Sequence, residues 1–353
     1  MKILYGVQTT GNGHISRSRE VIRELKELGH DVRVLLSGRK AAMQSELQDF
    51  EPYQKFRGLT FASNRGKLKY LQTAFNLNFF QFYRDIASFD GSGYDLVISD
   101  FEPISARIAR RNSLPSIGVG HQYAFIHDIP MRGDNPLARL VIQKFAPVDY
   151  PVGLHWHHFN RPILPPIVPH EIDGNGKKID NKILVYLPFE QLDEVLTLLK
   201  PFRRYEFFIY HRLTRADDSG HIHLRPYSRA GFLNDLIECS GVISNAGFEL
   251  ASEAMFLGKK ILVKPLAGQM EQLSNALAID SLELGMEMKR LNIVKVAQFL
   301  DRPTGAPIKF PNVARIVAGW IEGGQWEDVE GLAGRAWQQI ALPALNGKRS
   351  SML

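Results

Sequence analysis

The chain has 353 residues, of which 44% are hydrophobic, and its formal net charge is +6. This length predicts about two domains, and the hydrophobic content suits globular domains with sizeable cores. The single cysteine, Cys239, excludes an internal disulfide and favours a cytoplasmic setting. A strand begins at Ile3 and no apolar run approaches the roughly 18 residues of a membrane span. Neither a signal peptide nor a transmembrane helix is therefore expected.

The first residues predict a strand, a glycine-bearing loop and a helix. Residues 2–7 are mostly apolar without alternation, as in a buried parallel strand. The loop over residues 8–14 and the helix over residues 16–28 hold Gly11, Asn12, Gly13, His14 and Arg17. A dinucleotide-binding unit begins in this way, but Ser16 stands where its fingerprint needs glycine and no acid follows the second strand. NAD binding is therefore not expected, while NADP is left open.

Two later strands lead to polar residues at the same predicted sheet edge. A strand over residues 96–98 leads to Asp100, and one over residues 116–119 leads to His121. Because the carboxyl ends of parallel strands share one edge of a sheet, we expect both residues near the loop that holds His14.

A stretch over residues 75–83 is rich in aromatic residues and predicts a helix. It follows the basic residues Arg57, Arg65, Lys67 and Lys69. Basic residues beside exposed aromatics fit an anionic membrane or a lipid-linked acceptor, which would place the protein peripherally on the inner membrane face. A core helix beside a solvated basic loop is the alternative that we favour. No recognised nucleic-acid-binding motif is present, so nucleic acid is not an expected partner.

Several histidines cluster in one region, at His127, His155, His157 and His158. Neither HExxH nor CxxC spacing accompanies them, and no carboxylate stands within the cluster. No metal site is therefore expected.

A proline-rich segment over residues 161–169 predicts an inter-domain linker, after which the alternation of strands and helices restarts. We predict an N-terminal domain over residues 1–165, a C-terminal domain over residues 166–315, and a final helix and tail over residues 316–353. Two such α/β domains imply a cleft between the carboxyl ends of their strands.

The most informative stretch covers residues 241–278. It predicts a strand, a small polar turn over residues 244–247, a helix over residues 248–257 and another strand. Small residues let a ligand approach the backbone, and the free N–H groups of a helix start favour phosphate. Glu249 and Glu253 share one helix face because they are four residues apart. A phosphate-binding helix end beside several hydroxyl acceptors indicates a nucleotide-sugar site.

Two motifs here carry a family resemblance. Residues 244–253 read Ser-Asn-Ala-Gly-x5-Glu, and residues 268–276 read Gly-Gln-x-Glu-Gln-x2-Asn-Ala. This pair resembles the donor-binding signature of GT-B UDP-glycosyltransferases, and most closely a MurG-like group related to the lipid-intermediate N-acetylglucosaminyltransferase. The resemblance implies an α/β fold of two Rossmann-like domains whose parallel sheets face a central cleft.

The resemblance also implies a donor site. Uracil would lie at the backbone of Phe232 and Leu233, and the diphosphate at the turn that follows Ser244. The implied donor-binding residues are Phe232, Leu233, Asn245, Ala246, Gly247, Glu249, Glu253, Gln269, Glu271 and Gln272. Relatives often carry a glycine- or serine-rich loop after the first strand of this domain, whereas residues 187–190 here read Leu-Pro-Phe-Glu.

Glycosyl transfer needs a base for the acceptor hydroxyl. His14 paired with Asp100 resembles the base pair of plant-type relatives, and His121 is a rival base. No metal and no cofactor are expected, since the UDP-sugar is a substrate. The acceptor is open, with a lipid-linked one among the options. The alternatives are a UDP-N-acetylglucosamine 2-epimerase and a non-catalytic nucleotide-sugar-binding protein.

Overall fold

The computed structural model describes residues 1–38, 47–59, 79–172 and 176–340, together with the backbone of one short antiparallel strand pair. The predicted positions Arg65 and Lys69, the side chain of Lys67, and residues 75–78 of the predicted aromatic helix lie outside the described residues. Two seven-stranded sheets dominate the part of the chain that is described.

The first sheet has the strand order β3-β2-β1-β6-β7-β8-β9, and every pairing in it is parallel. Its strands are β1 (Lys2–Gln8), β2 (Asp31–Ser37), β3 (Tyr53–Phe56), β6 (Leu96–Asp100), β7 (Ser116–Gly120), β8 (Tyr150–Leu154) and β9 (Ile163–Leu164). The separate antiparallel pair is β4 (Ser63–Asn64) with β5 (Lys67–Leu68).

The second sheet has the order β12-β13-β11-β10-β14-β15-β16, and only its edge strand β12 is antiparallel to its neighbour. Its strands are β10 (Lys182–Tyr186), β11 (Glu206–Tyr210), β12 (Asp217–Ser219), β13 (Ile222–Arg225), β14 (Gly241–Asn245), β15 (Lys260–Lys264) and β16 (Met286–Glu287).

Helices cover the sheets. They are α1 (Asn12–Glu27), α2 (Phe79–Ser88), α3 (Pro103–Arg111), α4 (Pro136–Lys144), α5 (Leu192–Leu199), α6 (Arg229–Glu238), α7 (Phe248–Phe256), α8 (Met270–Ser281), α9 (Ile293–Leu300), α10 (Val313–Gly323) and α11 (Val329–Gln338). Short 3-10 helices cover Gln48–Phe50 and His121–Ile126. The predicted α/β class with parallel sheets is confirmed.

The start of α1 corrects the sequence prediction. The helix begins at Asn12 with Gly11 as its N-cap, so Asn12, Gly13, His14 and Arg17 are helical and only Gly11 stays in the loop. The prediction began at Ser16 because glycine disfavours helix and the apolar periodicity starts later. His14 therefore has a fixed direction in the first turn.

Several elements were not predicted, among them β9 and α11. Strand β9 lies inside the proline-rich segment, because proline is tolerated beside a two-residue edge strand. Helix α11 lies in the weakly patterned tail, and Trp337 Nε1 donates to the Ile163 oxygen at 2.6 Å. Helix α11 thus packs on the first sheet. The domain boundaries near residues 165 and 315 stay a prediction.

Candidate active site

The two sheets meet at the carboxyl ends of their strands, where α1 and α7 come face to face. Asp100 is the last residue of β6, and Asn245 is the last residue of β14. Helix α1 follows β1, and α7 follows β14, so both helix starts belong to this edge. Neither α1 nor α7 has a side-chain hydrogen bond at its N-cap. Two uncapped helix N-termini therefore face the same cleft, which favours negative charge there.

His14 and Asp100 form a pair on the wall that the first sheet supplies. His14 Nδ1 lies 3.0 Å from Asp100 Oδ1, and Ser18 Oγ donates to Asp100 Oδ2 at 2.8 Å. Asp100 is fully buried, whereas 15% of the His14 side chain is exposed. None of the described residues bonds to His14 Nε2, so that nitrogen can meet a ligand.

Arg17 joins this pair to the second sheet. Its guanidinium donates to Asp100 with one Nη atom and to Glu249 with the other. Burial alone would raise the pKa of Asp100, but the charges of Arg17 and His14 outweigh it and hold that pKa below its ordinary value. Asp100 is therefore ionised at neutral pH and can orient the His14 ring.

The start of α7 is open on its solvent side. Gly247 is the N-cap, and a Cβ built on it would meet no atom within 4 Å. Asn245 Nδ2 donates to the Lys264 oxygen at 2.9 Å, whereas no partner among the described residues reaches its buried Oδ1. Ala246 is fully buried and its oxygen accepts from Asn275. The predicted turn over residues 245–247 is thus held rigidly beside free helix N–H groups.

Glu253 lies further along α7 and is only 8% exposed. In the described residues, no group donates a hydrogen bond to its carboxylate. Burial raises its pKa to about 7, and the nearby Arg229 offsets only part of this effect. A desolvated carboxylate without a donor gains from hydroxyl groups that a ligand brings.

The remaining predicted donor residues differ in which of their polar atoms already have partners in the protein. Gln272 is buried and its Oε1 accepts from the Leu266 N–H at 2.9 Å, so only its amide donor is left for a ligand. Glu271 accepts from Gln122 across the cleft at 3.1 Å. Gln269 has a buried Oε1 for which none of the described residues supplies a donor.

Phe232 and Leu233 lie within α6, at the rim of the second sheet. The Phe232 N–H bonds to the Ser228 oxygen at 2.8 Å within the helix, so that group is engaged. The Phe232 ring contacts Tyr186 and Tyr210 edge-on, at centroid distances of 5.3 and 5.0 Å. The aromatic surface, rather than this backbone N–H, is therefore the feature that could contact a nucleobase at this position.

His121 lies in the packed contact between the sheets rather than on the open wall. Its ring stacks on Phe248 with centroids 3.9 Å apart. Nδ1 lies 2.8 Å from the Leu154 oxygen, and Nε2 lies 2.7 Å from Asn275 Oδ1. The residue is fully buried, and this burial lowers its pKa. Both ring nitrogens are thus engaged within the protein.

The clustered histidines form no ligand set. Within the described ranges, no group of three or more His, Cys, Asp or Glu side chains could hold a metal ion. His155 is buried and its pKa is well below the ordinary value because of desolvation.

The same described part of the chain contains no helix that is long and apolar enough to cross a bilayer.

Two ion pairs at the cleft had no signal in the sequence. Lys264, at the end of β15, lies 2.6 Å from Glu190, which belongs to the loop that departs from the family pattern. Arg17 pairs with Glu249 across 232 positions of sequence. Neither pair has a local spacing that could reveal it, since both depend on how separate elements meet.

Comparisons with known proteins agree with this arrangement. The sequence matches the family model described as glycosyl transferase family 1 over residues 1–303. No curated protein matches it. The solved structure of the Streptomyces sp. SF2575 glycosyltransferase SsfS6 with thymidine diphosphate has a TM-score of 0.59 and 12% identity over 96% of each chain.

Two further structures are similar. The glycosyltransferase SnogD from Streptomyces nogalater has a TM-score of 0.55 and 14% identity over 95% of this chain and 96% of that one. The spinosyn rhamnosyltransferase SpnG has a TM-score of 0.54 and 12% identity over 95% of this chain and 97% of that one. At these identities the likeness shows the fold, which is GT-B. Because the family model covers most of its length, the chain belongs to glycosyl transferase family 1 and is a glycosyltransferase.

Proposed function

We propose that the protein is an inverting, metal-independent transferase that moves a sugar from a UDP-sugar of the UDP-N-acetylglucosamine type to an acceptor hydroxyl. One observation carries this proposal: Arg17 contacts both Asp100 and Glu249. The base candidate and the phosphate-binding helix end therefore line the same cleft, and the Arg17 side chain spans the distance between them.

The His14–Asp100 pair supports base catalysis. With its proton on Nδ1, His14 donates to Asp100 and keeps a lone pair on Nε2. The acceptor oxygen bonds to the anomeric carbon while the bond from that carbon to the diphosphate oxygen breaks. The hydroxyl proton moves to His14 Nε2, and the electron pair leaves with the nucleoside diphosphate. Attack from the side opposite the leaving group inverts the anomeric centre. We assign the base to His14 because both nitrogens of His121 are engaged.

The start of α7 supports a leaving diphosphate without a metal. The uncapped N–H groups after Gly247 carry partial positive charge, and this charge is fixed before the reaction. A preorganised helix end can thus take the stabilising role that a cation has in other transferases. The Asn245–Gly247 turn would hold the phosphates, and Glu253 would accept from the ribose hydroxyls. Gln269, Glu271 and Gln272 would face the sugar.

The choice of uracil as the nucleobase of the donor rests on the motif resemblance to MurG-like enzymes. One similar structure was solved with thymidine diphosphate, another pyrimidine nucleotide. A thermal-shift panel of UDP, TDP, ADP and GDP tests the choice. We expect the largest stabilisation with UDP, and a larger shift with a purine nucleotide would overturn the assignment. UDP-N-acetylglucosamine incubated alone with the protein should yield UDP and no epimer.

The acceptor is proposed to be amphipathic, with a lipid-linked one as the leading class. Helix α2 exposes Phe79, Phe80 and Tyr83, with exposed fractions of 51%, 78% and 60%, and the next residue of the helix, Arg84, is also exposed. Aromatic side chains near basic residues suit the surface of an anionic bilayer. Cosedimentation with vesicles that contain phosphatidylglycerol, compared with phosphatidylcholine alone, tests this. We expect the wild type to bind the vesicles that contain phosphatidylglycerol and Phe80→Ser to bind them more weakly. Equal sedimentation of the wild type and Phe80→Ser with these vesicles would contradict the proposal.

A further inference from the structure

We infer that Arg17 is a ligand of the donor diphosphate, supplied by the acceptor-side domain, and that Glu249 competes with the diphosphate for its guanidinium. The inference rests on the proposed function, because it concerns the phosphate end of the same cleft. It adds a binding residue from the opposite wall.

The position of Glu249 is the first support. It is the second residue of α7, so it belongs to the turn whose N–H groups would bind a phosphate. Arg17 donates to this carboxylate. A phosphate oxygen at the start of α7 would therefore lie close to the guanidinium of Arg17.

The two anionic partners of Arg17 differ in how firmly they are held. Asp100 is fully buried and also accepts from Ser18, whereas 19% of the Glu249 side chain is exposed. The bond to Asp100 fixes the guanidinium, and the bond to Glu249 can exchange for another anion. Arg17 Nε is buried and has no partner among the described residues, so the group can also gain a bond.

Electrostatics give the direction of the exchange. A guanidinium binds phosphate in the same forked geometry as carboxylate, and a diphosphate carries more charge than one carboxylate. Glu249 is itself an anion at the helix end where the diphosphate would dock, so its charge opposes donor binding. Gly13 allows this arrangement, since a Cβ at that position would overlap the Glu249 carboxylate.

A purely structural ion pair makes a different prediction. If the pair only joined the domains, loss of either partner would change nucleotide binding in the same direction. If the exchange occurs, Arg17→Gln weakens diphosphate binding and Glu249→Gln strengthens it. Arg132 and Glu287 provide a matched control, because they form another ion pair between the two halves, with oxygens at 2.6 and 2.7 Å from Nη1.

The experiment measures UDP dissociation constants by calorimetry for the wild type, Arg17→Gln, Arg17→Lys and Glu249→Gln, with Arg132→Gln and Glu287→Gln as controls. Uridine, measured by competition, reports on binding without phosphate. We expect at least about tenfold weaker UDP binding for Arg17→Gln, partial recovery for Arg17→Lys, and about threefold or more tighter binding for Glu249→Gln. Uridine binding should be unchanged in all three, and the two control variants should change UDP binding alike or not at all.

Weaker or unchanged UDP binding by Glu249→Gln would overturn the inference. This holds even if Arg17→Gln fails to fold because it leaves Asp100 buried without its cation, since Glu249 is only partly buried and Gln is close to it in size. A uridine affinity that falls as much as the UDP affinity in the Arg17 variants would also overturn it. If the wild type bound neither UDP nor TDP, the proposed function itself would fall.

Discussion

His14 Nδ1 lies 3.0 Å from Asp100 Oδ1, and the same carboxylate is held by Arg17 and Ser18. Asp100 thus has three partners that hold its buried side chain in place, and the charges of Arg17 and His14 keep it ionised. A carboxylate held in this way can orient an imidazole and stabilise its protonated form. Since 15% of the His14 side chain is exposed, this pair presents a base to the cleft.

Asp100→Asn should lower turnover, because the amide no longer stabilises a protonated His14. The double variant with His14→Ala should lose less than the sum of the two single losses, expressed as free energies, because Asp100 acts through His14. Steady-state rates of the four proteins in this cycle give the coupling. Fully additive losses would show that Asp100 acts independently of His14.

Glu253→Ala should weaken UDP binding by about 1–3 kcal/mol, because the ribose hydroxyls would lose their acceptor in a buried place. Calorimetry with UDP measures the change. Glu330→Ala, at an exposed position in the first turn of α11, serves as a control for the loss of one negative charge. An affinity unchanged from the wild type would remove Glu253 from the ribose role.

Donor binding should depend on pH through Glu253, whose pKa burial raises to about 7. Ribose hydroxyls donate to the ionised carboxylate, so binding favours loss of the proton. Below pH 7 the free protein carries that proton, and affinity should fall as the pH drops, approaching tenfold per unit. Above pH 7 the affinity should level off. Titrations with UDP-N-acetylglucosamine between pH 5.5 and 8.5 test this against Glu253→Gln, which should lack the dependence. The same slope in both proteins would assign it to another group.

His121→Ala should lower the free energy of unfolding by about 2–4 kcal/mol, because it removes a ring that stacks on Phe248 and leaves the buried Oδ1 of Asn275 without its partner. Turnover should fall less than in His14→Ala. Urea unfolding and steady-state rates give the two values. A stable His121→Ala protein with a larger loss of turnover than His14→Ala would move the base to His121.

The sequence predicted those features that local chemistry determines. The small residues before α7 and the good helix formers within it predicted the strand, turn and helix near their observed bounds. The apolar strands without alternation predicted parallel sheets. The start of α1 was predicted four residues late, because Gly11 and Gly13 argue against a helix in the sequence. The first turn is helical all the same, and it packs against α7.

Contacts that form only when the two halves meet could not be predicted. Arg17 was placed with the glycine loop, yet its guanidinium reaches Glu249 on the opposite wall. His121 directly follows a strand, which is a common position for a catalytic residue, but it is buried because Phe248 packs against it. In both cases the sequence indicates the correct edge of the sheet, and the relative placement of the domains determines the role.

The central claim is that His14 serves as the base in a cleft whose other wall binds the nucleotide. The most direct measurement compares UDP release from UDP-N-acetylglucosamine by the wild type and by His14→Ala, with EDTA present, alongside the UDP dissociation constants of both proteins. The account predicts release by the wild type, release slower by about 100-fold or more in the variant, and equal UDP affinity. Equal release by the two proteins, or loss of UDP binding in His14→Ala, would contradict it.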